Sequence, residues 1–76
     1  MSPFVLELSD HAKLRLKQRA ITRNQVRLCL THGTQKSFDI RGRRVRIIKI
    51  RSRILEVIYL EISGGYLIVT AYWMNS

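Results

Sequence analysis

At Thr34 the hydrophobic period of this 76-residue chain changes from helical to strand-like, and no other feature limits its fold as much. Before that point two segments repeat apolar residues at helical spacing. After it, runs rich in Val, Ile and Tyr alternate between short turn signals. Helices followed by strands predict an α+β domain in which a helical pair covers one face of an antiparallel sheet. A chain of this length has room for one domain, residues 1–76, and buries only ~60% of the surface its unfolded form exposes.

The first helical segment is Ser9–Ile21. Ser9 is an N-cap residue, Asp10 sets negative charge against the positive end of the helix dipole, and no Pro or Gly interrupts the run. At ~100° per residue, Ala12, Leu16 and Ala20 share an apolar stripe. His11, Arg15 and Arg19, four residues apart, form a column beside it. Lys13 and Lys17 fall on the far side and read as solvated surface. Thr22-Arg23-Asn24-Gln25 fits a capping box that opens a second helix, Arg23 to His32, with Val26, Cys29 and Leu30 inward. Gly33 is the expected left-handed stop.

Phe4 to Leu8, begun by Pro3, reads as a short strand or an extended lead-in. Lys36 to Ile40 with its Arg41-Gly42 turn, Arg43 to Arg51, Ile54 to Ile62 and Tyr66 to Trp73 predict four strands, the last two joined at Ser63-Gly64-Gly65. Within Arg43–Arg51, Val45 and Ile47 share one face and Ile48 and Ile50 the other, which predicts a β-bulge or a twist and bend in that strand. Ile54, Ile58, Leu60 and Ile62 share one parity in the next. The expected architecture is an N-terminal helical hairpin packed on a four-stranded antiparallel β-sheet, in the order α-α-β-β-β-β.

Charge narrows the function. The chain has 14 Lys and Arg against 5 Asp and Glu, a formal net charge of +9. All the basic residues lie between Lys13 and Arg53. That surplus implies an anionic partner: nucleic acid, an acidic protein or an anionic surface. The single cysteine, Cys29, excludes an internal disulfide and offers no metal-ligand spacing. No signal-peptide pattern opens the chain and no apolar run approaches the ~18 residues of a membrane span, so a soluble cytoplasmic protein is expected, without membrane association. No cofactor is implied.

His11-Ala12-x-x-Arg15-x-x-x-Arg19-Ala20-Ile21, the capped helix after it, the Gly42 turn and the closing Ile68-Val69-Thr70-Ala71-Tyr72-Trp73 together resemble domain-of-unknown-function family 4258. That family looks like a member of the RelE/ParE-like toxin group, within a wider grouping of barnase, EndoU, colicin and RelE nucleases. The resemblance runs from Leu8 to Trp73. It implies a RelE-like, helices-then-sheet fold and a small metal-independent ribonuclease of toxin–antitoxin type. The family usually has Gly where this chain has Ala20, a departure that bears on turn geometry.

Metal-free RNA cleavage needs a base for the 2′-OH proton, an acid for the leaving oxygen and cations on the phosphorane. His11 is the candidate general acid or base. Arg15 and Arg19 are candidate phosphate clamps. Thr70 and Tyr72 share a parity on the last strand and present two hydroxyls; Tyr72, with Tyr59 as a further candidate, offers an acid or a stacking surface. Arg43, Arg44, Arg46, Lys49 and Arg51 are the candidate nucleic-acid-binding residues. Seven basic residues between Arg41 and Arg53 exceed what protection of a sheet edge requires. The leading expectation is an endoribonuclease acting by 2′-OH attack. The alternatives are a non-catalytic basic nucleic-acid-binding module, or an interaction domain that docks an acidic partner such as an antitoxin.

Overall fold

The computed structural model describes residues 4–36 and 42–74. The Ser9 hydroxyl accepts the Ala12 amide at 3.1 Å and opens helix α1, Asp10–Gln18. The helix stops earlier than the sequence run. Ile21 N–H donates to Leu16 O and Ala20 N–H to Lys17 O, a Schellman closure that puts Ala20 at φ 55 and buries Ile21 against Leu16. Ala20 therefore leaves the apolar stripe and becomes the left-handed corner, while Ala12 and Leu16 remain buried. Helix α2, Arg23–His32, has the expected bounds, with the reciprocal Thr22–Gln25 capping box formed and Val26, Cys29 and Leu30 buried.

Gly33 is not a left-handed stop. Its backbone is extended (φ −73), and a Cβ there would lie 2.3 Å from Cys29 O and 2.7 Å from Ile47 O. The glycine is needed for close approach of helix and sheet, not for a positive φ.

The four-stranded antiparallel expectation is corrected to a five-stranded mixed sheet of order β1-β5-β4-β3-β2. Its strands are β1 Val5–Leu8, β2 Thr34–Gln35, β3 Arg44–Ile50, β4 Arg53–Ile62 and β5 Gly65–Met74. Strand β1 runs parallel to β5, from Val5 beside Gly65 to Leu8 beside Ile68, and all other pairings are antiparallel. Four residues suffice for β1 because Leu6 is buried and Val5 N–H donates to Gly64 O. Period cannot show such a pairing, because its partner lies at the other end of the chain. The predicted strand from Lys36 to Ile40 and the Arg41 turn lie almost wholly outside the described residues, as does Pro3.

The two helices cover one face of the sheet. Leu55, Val57 and Tyr59 of β4 and Ile68 and Ala71 of β5 form its centre with Leu16, Ile21, Val26, Cys29 and Leu30. The bulge lies elsewhere than expected. Strand β3 pairs with β4 without interruption, whereas Ile58 sits opposite Thr70 and Tyr59 opposite Ile68, leaving Val69 as the extra residue of β5. No parity slip occurs in β3 because it carries apolar residues on both faces, Ile48 and Ile50 toward the helices and Val45 and Ile47 away from them. Ile54, Ile58, Leu60 and Ile62 line that second face, on which neither described helix packs.

Candidate functional site

Polar groups converge on the face away from the helices. Glu56 occupies β4 between Leu55 and Val57, with Ile47 and Tyr72 as its neighbours across the sheet. It is 5% exposed and the one charged side chain among the described buried residues. Both carboxylate oxygens are engaged: Lys36 Nζ donates to Oε1 at 3.1 Å, and the Tyr72 hydroxyl donates to Oε2. Lys36 reaches in from just past β2 and keeps about half its side chain in solvent. A carboxylate at this depth persists because each oxygen is matched to a donor.

Thr70, two residues before Tyr72 on the same face, is met by Arg19. Strand β1 stops at Leu8, opposite Ile68, so the outer edge of β5 is left to the end of α1. There Arg19 Nη1 donates to Ala71 O at 2.8 Å and to Thr70 Oγ1 at 3.2 Å. Trp73 Nε1 returns a bond to Arg19 O at 2.9 Å. Arg19 and Thr70 are thus brought together, and Tyr72 stands beside them with Glu56 and Lys36.

The other expected site residues are spread out. His11 is exposed on α1, where Arg15 Nε donates to its Nε2 at 3.5 Å and Arg15 Nη1 donates to Gln18 at 3.4 Å. Arg46 lies on the helix side, donating to the Tyr59 hydroxyl oxygen and to Gly33 O, each at 3.0 Å. Tyr59 is therefore core, 1% exposed, and not on the face of Tyr72. Arg44 pairs with Glu61, and Arg43 is half-buried just before β3. Lys49 is exposed on the face away from the helices, and Arg51 tops the β3–β4 turn at φ 59. The regular register of β3 is what divides this arginine-rich run between two faces.

Lys36 and Glu56 are the members that the sequence reading missed. An acid inside an otherwise apolar strand was the available signal for Glu56; Lys36 carried none. Cys29 takes no part: it is fully buried, and burial pushes its thiol up to about 11. Among the described residues no three His, Cys, Asp or Glu side chains gather, and no helix is long and apolar enough to cross a membrane.

The family model described as Domain of unknown function (DUF4258) matches residues 8–73. The chain belongs to that family. The match begins at the last residue of β1 and ends at Trp73, so this DUF4258 chain carries α1, α2, Glu56, Arg19, Thr70 and Tyr72 inside the family segment. No curated protein and no solved structure matches the chain.

Proposed function

We propose that this DUF4258 protein is a metal-independent endoribonuclease of RelE/ParE-like toxin type, binding RNA at the sheet face away from its helices. The buried Glu56 carboxylate holding the Tyr72 hydroxyl and the Lys36 ammonium carries the reading. Two helices packed on a mostly antiparallel sheet, and a net charge of +9, accord with it.

On this reading Tyr72 faces the substrate and Glu56 orients it. The Tyr72 oxygen accepts the 2′-OH proton as its own proton passes to Glu56; the 2′-oxygen attacks the adjacent phosphorus, the P–O5′ bond breaks to leave a 2′,3′-cyclic phosphate, and the departing 5′-oxygen takes the proton back through Tyr72. Lys36 and the Arg19 guanidinium, fixed at Thr70, supply positive charge for the phosphorane. His11 stands two helical turns from Arg19, ~12 Å along the axis, which sets it apart from the Tyr72 group. The protein would act in the cytoplasm, and its surplus positive charge would also suit an acidic antitoxin.

A second reading, an RNA-binding module without turnover, is favoured by one observation: both Glu56 oxygens are already occupied. Cleavage of a long unstructured RNA in EDTA separates the two. Wild type that cuts, beside Tyr72→Phe that does not, supports the enzyme; binding by wild type without cutting leaves the module.

A further inference from the structure

At the opposite end of β5 from the β1 pairing, a hollow of about 480 Å³ opens between Gln25, Ile50, Arg51, Ser52, Arg53 and Trp73. Three observations mark it. The Arg53 guanidinium carbon lies 3.8 Å from the centroid of the Trp73 ring, in contact with its face, while Arg53 is exposed. The ring is itself fixed by its bond to Arg19 O. Arg51, at the tip of the turn, holds φ 59, a conformation that turns ordinarily give to Gly or Asn.

The turn holds the Arg51 side chain beside the stacked Arg53. The result is a planar cation backed by an indole, a second cation beside it and no acidic side chain among the described lining residues. A simple anion would use the charges but not the stacked plane. A nucleotide uses both: its base stacks on a guanidinium or aromatic plane and its phosphate takes the second cation. A base paired within a duplex cannot reach such a plane.

We propose that this hollow binds one unpaired nucleotide of single-stranded RNA, the base on Arg53 backed by Trp73 and the phosphate on Arg51. The site rests on the RNA-binding reading above and adds to it a requirement for an unstacked base. It lies apart from Tyr72, because Trp73 faces the helix side of the sheet and Tyr72 the other.

The test measures binding of a ten-nucleotide single-stranded RNA and of a matched RNA duplex by wild type, Arg53→Lys, Arg51→Gly and Lys17→Ala. Lys17 is a surface cation outside both groups. Arg53→Lys keeps the charge and removes the plane; it is expected to weaken single-strand binding roughly tenfold, the size of one lost base–aromatic stack, and to leave duplex binding within about twofold. Arg51→Gly is expected to raise the melting temperature yet weaken single-strand binding, with a salt dependence lower by about one ion. RNA binding that Arg53→Lys weakens no more than Lys17→Ala does, or weakens equally for both RNAs, overturns the nucleotide site alone. Failure of wild type to bind either RNA overturns the RNA-binding reading with it.

Discussion

The Tyr72 hydroxyl donates across the β4–β5 ladder to Glu56, a carboxylate that is 5% exposed on the sheet face away from the helices. The two residues are direct cross-strand partners, so the bond needs no loop to hold it and is as rigid as the sheet. Removing the hydroxyl therefore separates chemistry from architecture. Tyr72→Phe is expected to lower RNA cleavage at least ~100-fold, the contribution of a positioned acid or base. It should lower stability by only about 1–2 kcal/mol, the effect of leaving a carboxylate oxygen unmatched. Cleavage rates and melting curves on the same preparation check both figures. Unchanged cleavage would remove Tyr72 from the mechanism.

Arg46 is expected to behave as a structural residue. It ties the Tyr59 hydroxyl to Gly33 O at the end of α2, and an alanine there leaves both acceptors without their donor. Arg46→Ala should lower stability by about 1–3 kcal/mol. It should leave the salt dependence of RNA binding near the wild-type slope, since the side chain is not spent on phosphate. A slope lower by a full ion would return Arg46 to the binding surface.

Ala20 at φ 55 sits in a conformation that L side chains resist. Ala20→Gly keeps the closure of α1 and relieves that strain, with an expected gain of about 0.5–1 kcal/mol and a melting temperature higher by roughly 3–6 °C. Differential scanning calorimetry of the single variant is the check. No rise, or a fall, would mean that the closure carries no strain.

The Cys29 thiol, raised by burial from 9.0 to about 11, makes stability fall in alkali. Between those two values the unfolded chain has lost the proton and the folded chain has kept it. The stabilising difference is thus fully present below pH 9 and is lost as pH rises toward 11. The loss is on the order of 2 kcal/mol, and Cys29→Ala should remove that part of the alkaline slope. Urea unfolding at stepped pH measures it; equal slopes in both proteins would show the thiol to be uninvolved.

Sequence reasoning reached as far as local physics extends. The Ser9 cap, the Thr22–Gln25 capping box and the 3.6-residue period located both helices and their starts, because those signals are complete within a few residues of where they act; the early stop of α1 at Gln18 was not among them. It failed where the deciding partner is remote. The pairing of Val5–Leu8 is decided by Gly65–Ile68, and no period within Phe4–Leu8 can show that. The same limit governs the site. His11, Arg15 and Arg19 share a helix column as expected, but only Arg19 meets Thr70, because only the last turn of α1 reaches the edge of β5. Composition groups the basic residues of β3 into one surface, whereas strict alternation gives Arg44 and Arg46 to one face and Lys49 to the other. Glu56 and Lys36 became partners only through a contact across 20 positions of sequence.

The parallel pairing of β1 with β5 also governs the order in which this protein can be made. Val5 finds its place beside Gly65, a residue synthesised sixty positions later. Throughout translation the first strand stays unpaired, and the helices have only part of a sheet to pack on. Closure is therefore a late, non-local event with a high loop-entropy cost, the kind that slows folding of small domains. It also makes Gly65 a gate: a Cβ there would lie 1.9 Å from Val5 O, so even alanine would shut the first strand out of the finished sheet.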